Sequence, residues 1–228
     1  MRTLLAIVVL AACGGGTLQS ALDSQLATNA NRHGIAGQAV LILRDDTVLY
    51  RGVHGVADRE TKRLVQPTDI FPVFSLSKLL ASVLVMQLVE RGEIDLKQPA
   101  SRYLELPERW REITVDEVLS HASGLPDYFD PQQPVAHPPT AKDLFASLAD
   151  KPLLFARGTE VRYTQTNYVV IGALLEAHYK MPYRQIVTER IVKPLALAST
   201  YFGRSNVPAG RLVASYRGTR DVLGPDPI

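Results

Sequence analysis

Ser75-Leu76-Ser77-Lys78 places a hydroxyl three residues ahead of an amine. On a helix, positions i and i+3 share a face, so the lysine can reach the serine oxygen. That makes Ser75 a candidate nucleophile and Lys78 its base partner, the minimal pair for acyl transfer. The spacing alone carries little weight. With 12 serines and 7 lysines in 228 residues, a shuffled chain would hold roughly 0.4 such pairs, so a capped helix start with a solvated lysine is the competing reading.

Other chemistries find few residues to work with. The formal net charge is +2, and no run of Lys/Arg exceeds two, so nothing suggests a nucleic-acid partner. The five histidines, His33, His54, His121, His137 and His178, are scattered and read as structural rather than as metal ligands. No Walker loop, dinucleotide-binding glycine pattern, His-Glu-x-x-His helix or paired Cys-x-x-Cys occurs, so no cofactor is expected. A Ser-His-Asp hydrolase is a further alternative, but it would need a Gly-x-Ser-x-Gly elbow, which the chain lacks.

At 46% hydrophobic residues the composition is that of a globular protein with one large domain or two small ones. Thr17 to His33 carries a helical apolar face ending near Gly34. Gln38 to Arg44 and Thr47 to Val56 read as strands joined at Asp45-Asp46. Ser75 to Glu90 is a long helix with apolar residues over most of its circumference, which predicts burial nearly all round. A solvated lysine fits such a first turn poorly, and this favours the functional reading. Short helices follow at Val115 to His121, Thr140 to Ala149 and Thr166 to Tyr179, with a fourth from Met181-Pro182 to about Ile191. Asp127 to Pro139, with four prolines, is a loop. Periodicity fades after Arg204, and no further strand-like run of useful length is apparent.

The first residues predict a secretory signal: Arg2, then an apolar run from Leu4 to Ala12, too short to span a bilayer. Leu10-Ala11-Ala12-Cys13 resembles the lipobox of bacterial lipoproteins. That resemblance implies cleavage after residue 12, lipidation of Cys13 and a periplasmic protein held to the membrane only by its lipid. Cys13 is the single cysteine and has no intrachain disulfide partner.

Three ordered segments carry a wider resemblance: Ser75-Leu76-Ser77-Lys78, Leu119-Ser120-His121-Ala122-Ser123-Gly124-Leu125-Pro126, and Tyr163-Thr164-Gln165. With Gly92-Glu93-Ile94-Asp95-Leu96, Arg157-Gly158-Thr159 and Lys193-Pro194-Leu195, the stretch from about Ala36 to Phe202 resembles the serine β-lactamase-related hydrolases, which comprise class C β-lactamases, D-Ala-D-Ala carboxypeptidases and related esterases. The resemblance implies an α+β fold of the β-lactamase/transpeptidase type. It makes residues 13–228 one serine hydrolase domain after a signal at 1–12. It implies an acyl-enzyme at Ser75, with Lys78 as base partner and Tyr163 as proton shuttle. Ser75 at a helix start would also offer its own N–H to an oxyanion. Substrates would be D-amino-acid or peptidoglycan-like peptides, β-lactams, or small esters and amides.

Two departures stand out. The family's Tyr-x-Asn reads Tyr163-Thr164-Gln165, so Gln165 is the substrate-binding amide, displaced by one methylene; Asn167 is expected to face elsewhere. The family's third motif, Lys-Thr-Gly or His-x-Gly, does not occur after Tyr163, and Arg217-Gly218-Thr219 is only the nearest cationic stretch. The expectation is therefore a domain incomplete at its C-terminus, with the first hairpin standing for the sheet. A non-catalytic or vestigial binding protein is the alternative.

Overall fold

The structure, a computed structural model, describes residues 17–129, 140–219 and 222–225. Residues 1–16, with the expected signal segment and Cys13, and residues 130–139 of the Pro-rich loop lie outside the described residues. The chain divides into two compact units, one combining Met1–Pro72 with Tyr201–Ile228, the other Val73–Thr200.

In the first unit, α1 spans Leu18–His33. The Thr17 hydroxyl caps it by accepting from Ser20 N–H at 3.3 Å, and Gly34 closes it at φ 67°, a conformation costly for a residue with a Cβ. β1 (Gly37–Arg44) and β2 (Thr47–Asp58) pair antiparallel from Gly37↔Gly55 to Arg44↔Thr47, with a register irregularity between Ile42 and Leu43. Tyr50 is buried, and its hydroxyl donates to Asp23 of α1 at 2.7 Å. Two features exceed the sequence expectation. A short β3 (Arg63–Leu64) joins β2 to complete the order β1-β2-β3. A second hairpin, β4 (Tyr216–Thr219) with β5 (Val222–Pro225), forms a separate two-stranded sheet. The first hairpin is therefore not the only strand pair among the described residues. Strands of two and four residues are too short to display an alternation. Ala57, Val65 and Val213 form a small core with Val53 and Phe71, and Ile70 bridges Leu212 in parallel, tying the two chain segments together.

The second unit is helical. It contains α2 (Lys78–Glu90), α3 (Val115–Leu119), α4 (Ala141–Leu148), α5 (Gln165–Tyr179) and α6 (Tyr183–Val187), the last continuing as a π-turn over Thr188–Val192. Thr114 and Glu117 form a reciprocal capping box at the start of α3. α5 is central, packing against α2, α3, α4 and α6. Leu84, Val85 and Leu88 of α2 and Val170, Ile171, Leu174 and Leu175 of α5 are fully buried. Trp110 is buried edge-on to Phe145 at 5.4 Å between centroids.

The expectation for α2 is corrected twice. The α-helix begins at Lys78, because Phe74–Ser77 forms a 3-10 turn. Its burial is one-sided: Ala81, Leu84, Val85 and Leu88 face the core, while Leu79, Val83 and Met86 are exposed, Leu79 by 67%, as is Leu76 in the preceding turn. An apolar residue at every helical angle hides which stripe packs. Among the described residues no helix is long and apolar enough to cross a membrane.

Candidate active site

The turn carrying Ser75 is set by its backbone. Phe74 adopts φ 44°, a left-handed value rare for an aromatic residue. Leu76 N–H closes the turn onto Val73 O at 2.9 Å. A 3-10 turn holds three residues per turn, so side chains at i and i+3 eclipse. Lys78 thus stands over Ser75, and its Nζ donates to Ser75 Oγ at 3.1 Å. Ser75 is exposed and Lys78 half-buried, so the first turn is open to a reactant rather than enclosed.

The N-terminus of α5 supplies the facing wall. Thr164 is extended at the cap position (φ −136°, ψ 146°), which sets Tyr163 just before the helix and Gln165 at its first residue. The Tyr163 hydroxyl donates to Ser75 Oγ at 2.8 Å. Gln165 Oε1 accepts from Lys78 Nζ at 2.7 Å. The lysine cation also lies 5.0 Å from the Tyr163 ring centroid and 5.5 Å from that of Tyr168. The structure therefore brings Ser75, Lys78, Tyr163 and Gln165 to one cluster; Cys13 lies outside the described residues.

Residues without an assigned role in the sequence reading hold that cluster. His121 has φ 61°. Its carbonyl accepts Arg162 N–H at 3.0 Å, and its Nδ1 faces Thr164 N–H at 3.4 Å and Asn167 Nδ2 at 3.1 Å. Two donors on Nδ1 require the neutral ring with its proton on Nε2. The ring also packs on Tyr163, with centroids 4.6 Å apart, and on Tyr168 at 5.3 Å. Asn167 is fully buried and faces away from the nucleophile: its Oδ1 accepts from Ser123 at 2.6 Å, and its Nδ2 donates to Thr164 Oγ1 at 2.8 Å. Asp127 Oδ1 accepts Gln165 N–H at 3.0 Å, satisfying an orphan donor of α5. Gly124 turns the chain at φ 75°, where a Cβ would stand 2.3 Å from Phe155 O. The tight Ser123-Gly124 step beside His121 was the signal available in the sequence.

Electrostatics follow the geometry. Burial pushes the Tyr163 hydroxyl up, but its hydrogen bonding with Lys78 and Ser75, the Lys78 charge and Gln165 together outweigh it, so the net shift is down from the ordinary tyrosine value. His121 is also shifted down, by burial first and by the Lys78 charge second, with Asp127 opposing. Once the acidified Tyr163 phenol has lost its proton, the serine oxygen beside it can pass its own proton to that phenolate and attack a carbonyl carbon. Among the described residues no group of three or more His, Cys, Asp or Glu could hold a metal ion.

Comparison with known proteins gives a consistent picture. The family model described as Beta-lactamase matches residues 18–228. Protein flp of Staphylococcus aureus (strain MW2) is 22% identical over 212 residues, covering 90% of this chain and 41% of its own length. Esterase EstB of Burkholderia gladioli is 26% identical over 205 residues, covering 82% and 52%. The structure of the octameric penicillin-binding protein homologue from Pyrococcus abyssi superposes with a TM-score of 0.79 at 23% identity, covering 91% of this chain and 50% of that one. The chain spans about half the length, or less, of these relatives.

Proposed function

The chain belongs to the beta-lactamase family, and from that premise we propose that it is a serine hydrolase acting through an acyl-enzyme at Ser75. The observation that carries the reading is the Ser75 Oγ, held at 2.8 Å from the Tyr163 hydroxyl and 3.1 Å from Lys78 Nζ. The Tyr163 oxygen, as phenolate beside the Lys78 cation, takes the serine proton as Oγ attacks the carbonyl carbon. The same proton then passes to the leaving oxygen or nitrogen as its bond to carbon breaks. In the second half, water gives a proton to that base, attacks the acyl-serine, and Ser75 leaves with the proton returned.

Small esters and amides, D-amino-acid peptides and β-lactams all present such a carbonyl. The likeness to EstB favours esters as first substrates. A second reading is a pocket that forms the Ser75 adduct without turnover, Lys78 Nζ being held closer to Gln165 than to the nucleophile. In a bacterial host we also propose lipidation at Cys13 and periplasmic membrane attachment, to be read from intact mass and membrane fractionation.

The test is expression of the chain with p-nitrophenyl esters and nitrocefin, followed by intact-mass detection of an acyl adduct. A Ser75-dependent adduct with turnover supports the enzyme. An adduct without turnover supports the binding reading, and labelling that survives Ser75→Ala sinks the nucleophile.

A further inference from the structure

We propose that a cavity of about 220 Å³ between α2 and α5 is the subsite for the acyl side chain, shaped for an apolar aryl or branched alkyl group and sized by Gly172. The proposal rests on the hydrolase reading above and goes beyond it to the substrate class.

Location comes first. Lys78 and Gln165 form part of the cavity wall, and Lys78 Nζ is 3.1 Å from the attacking oxygen. Neither Ser75 nor Tyr163 lines it, so the cavity opens on the far side of Lys78 from the Tyr163 hydroxyl's contact with the nucleophile. The leaving group must lie against the Tyr163 hydroxyl, which returns the proton to it. The group entering a cavity walled by Lys78 and Gln165 is therefore the one that stays on the serine.

Size and chemistry come next. Whole drug-sized ligands occupy roughly 300–1,000 Å³, so this cavity suits one substituent. The remaining wall is Ser77, Ala81, Val169 and Gly172 with Tyr128, Tyr168 and Tyr183, and the Ser77 hydroxyl donates to Phe74 O at 2.6 Å. The Tyr168 hydroxyl is committed elsewhere, bonded to Ser82 at 2.9 Å. Burial, and then the neighbouring Tyr168, push the Tyr183 hydroxyl up to about 12, as expected of a phenol in apolar surroundings. Ring faces and aliphatic carbons favour an apolar or aromatic group over a charged one.

Gly172 sets the depth. It sits inside α5, where glycine is among the least favourable residues. A Cβ built there meets nothing within 4 Å, so helix packing does not demand the glycine. The open space at that position is instead part of the cavity.

The experiment compares p-nitrophenyl phenylacetate with p-nitrophenyl acetate on the full chain and its Gly172→Ala and Gly172→Leu variants, with thermal unfolding of each. Filling the cavity should lower the phenylacetate-to-acetate ratio of kcat/KM about tenfold in the leucine variant, and less in the alanine variant. An unchanged ratio in a folded leucine variant overturns the subsite, as does an equal loss on both esters. If the leucine variant does not fold, an unchanged ratio in the alanine variant overturns it. Absence of Ser75-dependent turnover of either ester by the unsubstituted chain is a separate result, which overturns the hydrolase reading and the subsite with it.

Discussion

Lys78 Nζ lies 2.7 Å from Gln165 Oε1, closer than its 3.1 Å contact with Ser75 Oγ. The amide thus anchors the cation, and the anchored cation serves the nucleophile and Tyr163 together. Hydrogen bonds to charged groups contribute about 1.5–3 kcal/mol net. The extra methylene of glutamine carries the amide oxygen to the lysine from the first residue of α5.

Replacing Gln165 with leucine should therefore release Lys78 without disturbing the helix. We expect kcat on a p-nitrophenyl ester to fall about ten- to a hundredfold, with little change in Tm. Gln165→Asn should fall between, because its shorter side chain leaves the contact stretched. Unchanged kcat in the leucine variant would remove the anchoring role.

Tyr163→Phe keeps the ring against His121 and deletes only the proton carrier. Loss of a positioned acid–base group costs typically 10²–10⁴-fold. Because the Tyr163 hydroxyl is held below its ordinary value of 10, the wild-type acylation rate should climb as pH rises from neutral and level off before 10. The phenylalanine variant should lose that limb. A variant with the same rate and the same limb would assign the proton to another group.

Much of the frame was legible because local rules and tertiary packing agree. Thr17, Gly34 and Thr140 mark helix ends in the sequence and cap them in the structure. The Ser75–Lys78 pair was legible because i and i+3 spacing places the side chains together in either kind of helix. What was not legible depends on packing between distant segments. Nothing local requires Phe74 or His121 to take positive φ, and both flank the reactive cluster. Strain of this kind persists where surrounding contacts over-determine it. The role of His121 arises from Thr164 and Asn167, more than 40 residues away. The hydrophobic composition of α2 masked its exposed stripe for a different reason: pattern reports which residues are apolar, not which find partners.

His121 makes a pH prediction with a definite sign. Its folded-state value lies below the ordinary 6.5, with burial and the Lys78 charge acting against Asp127. The unfolded chain therefore binds a proton first on acidification, and stability is lost as pH falls below 6.5 toward the folded value. Protonated Nδ1 could no longer accept from Thr164 and Asn167, so the Tyr163 segment should loosen in the same window. Tm measured from pH 8 to 5 should drop more steeply in wild type than in His121→Asn, whose amide oxygen can accept without titrating. Parallel curves would show that His121 does not couple to folding.

The one-sided burial of α2 gives the last test. Leu84 is fully buried, whereas Leu79 and Met86 are 67% and 48% exposed on the opposite stripe. Leu84→Ala should cost about 2–5 kcal/mol through lost burial and a cavity. Leu79→Gln, though it removes an equally large side chain, should stay within about 0.5 kcal/mol. Leu76, Leu79, Val83 and Met86 also form a contiguous exposed apolar stripe, which favours self-association. The double variant Leu79→Gln/Met86→Gln should therefore raise the monomer fraction by sedimentation or light scattering while keeping Tm. A loss of several kcal/mol in the glutamine variants would mean that this stripe is packed in the folded protein, and the one-sided burial of α2 would be wrong.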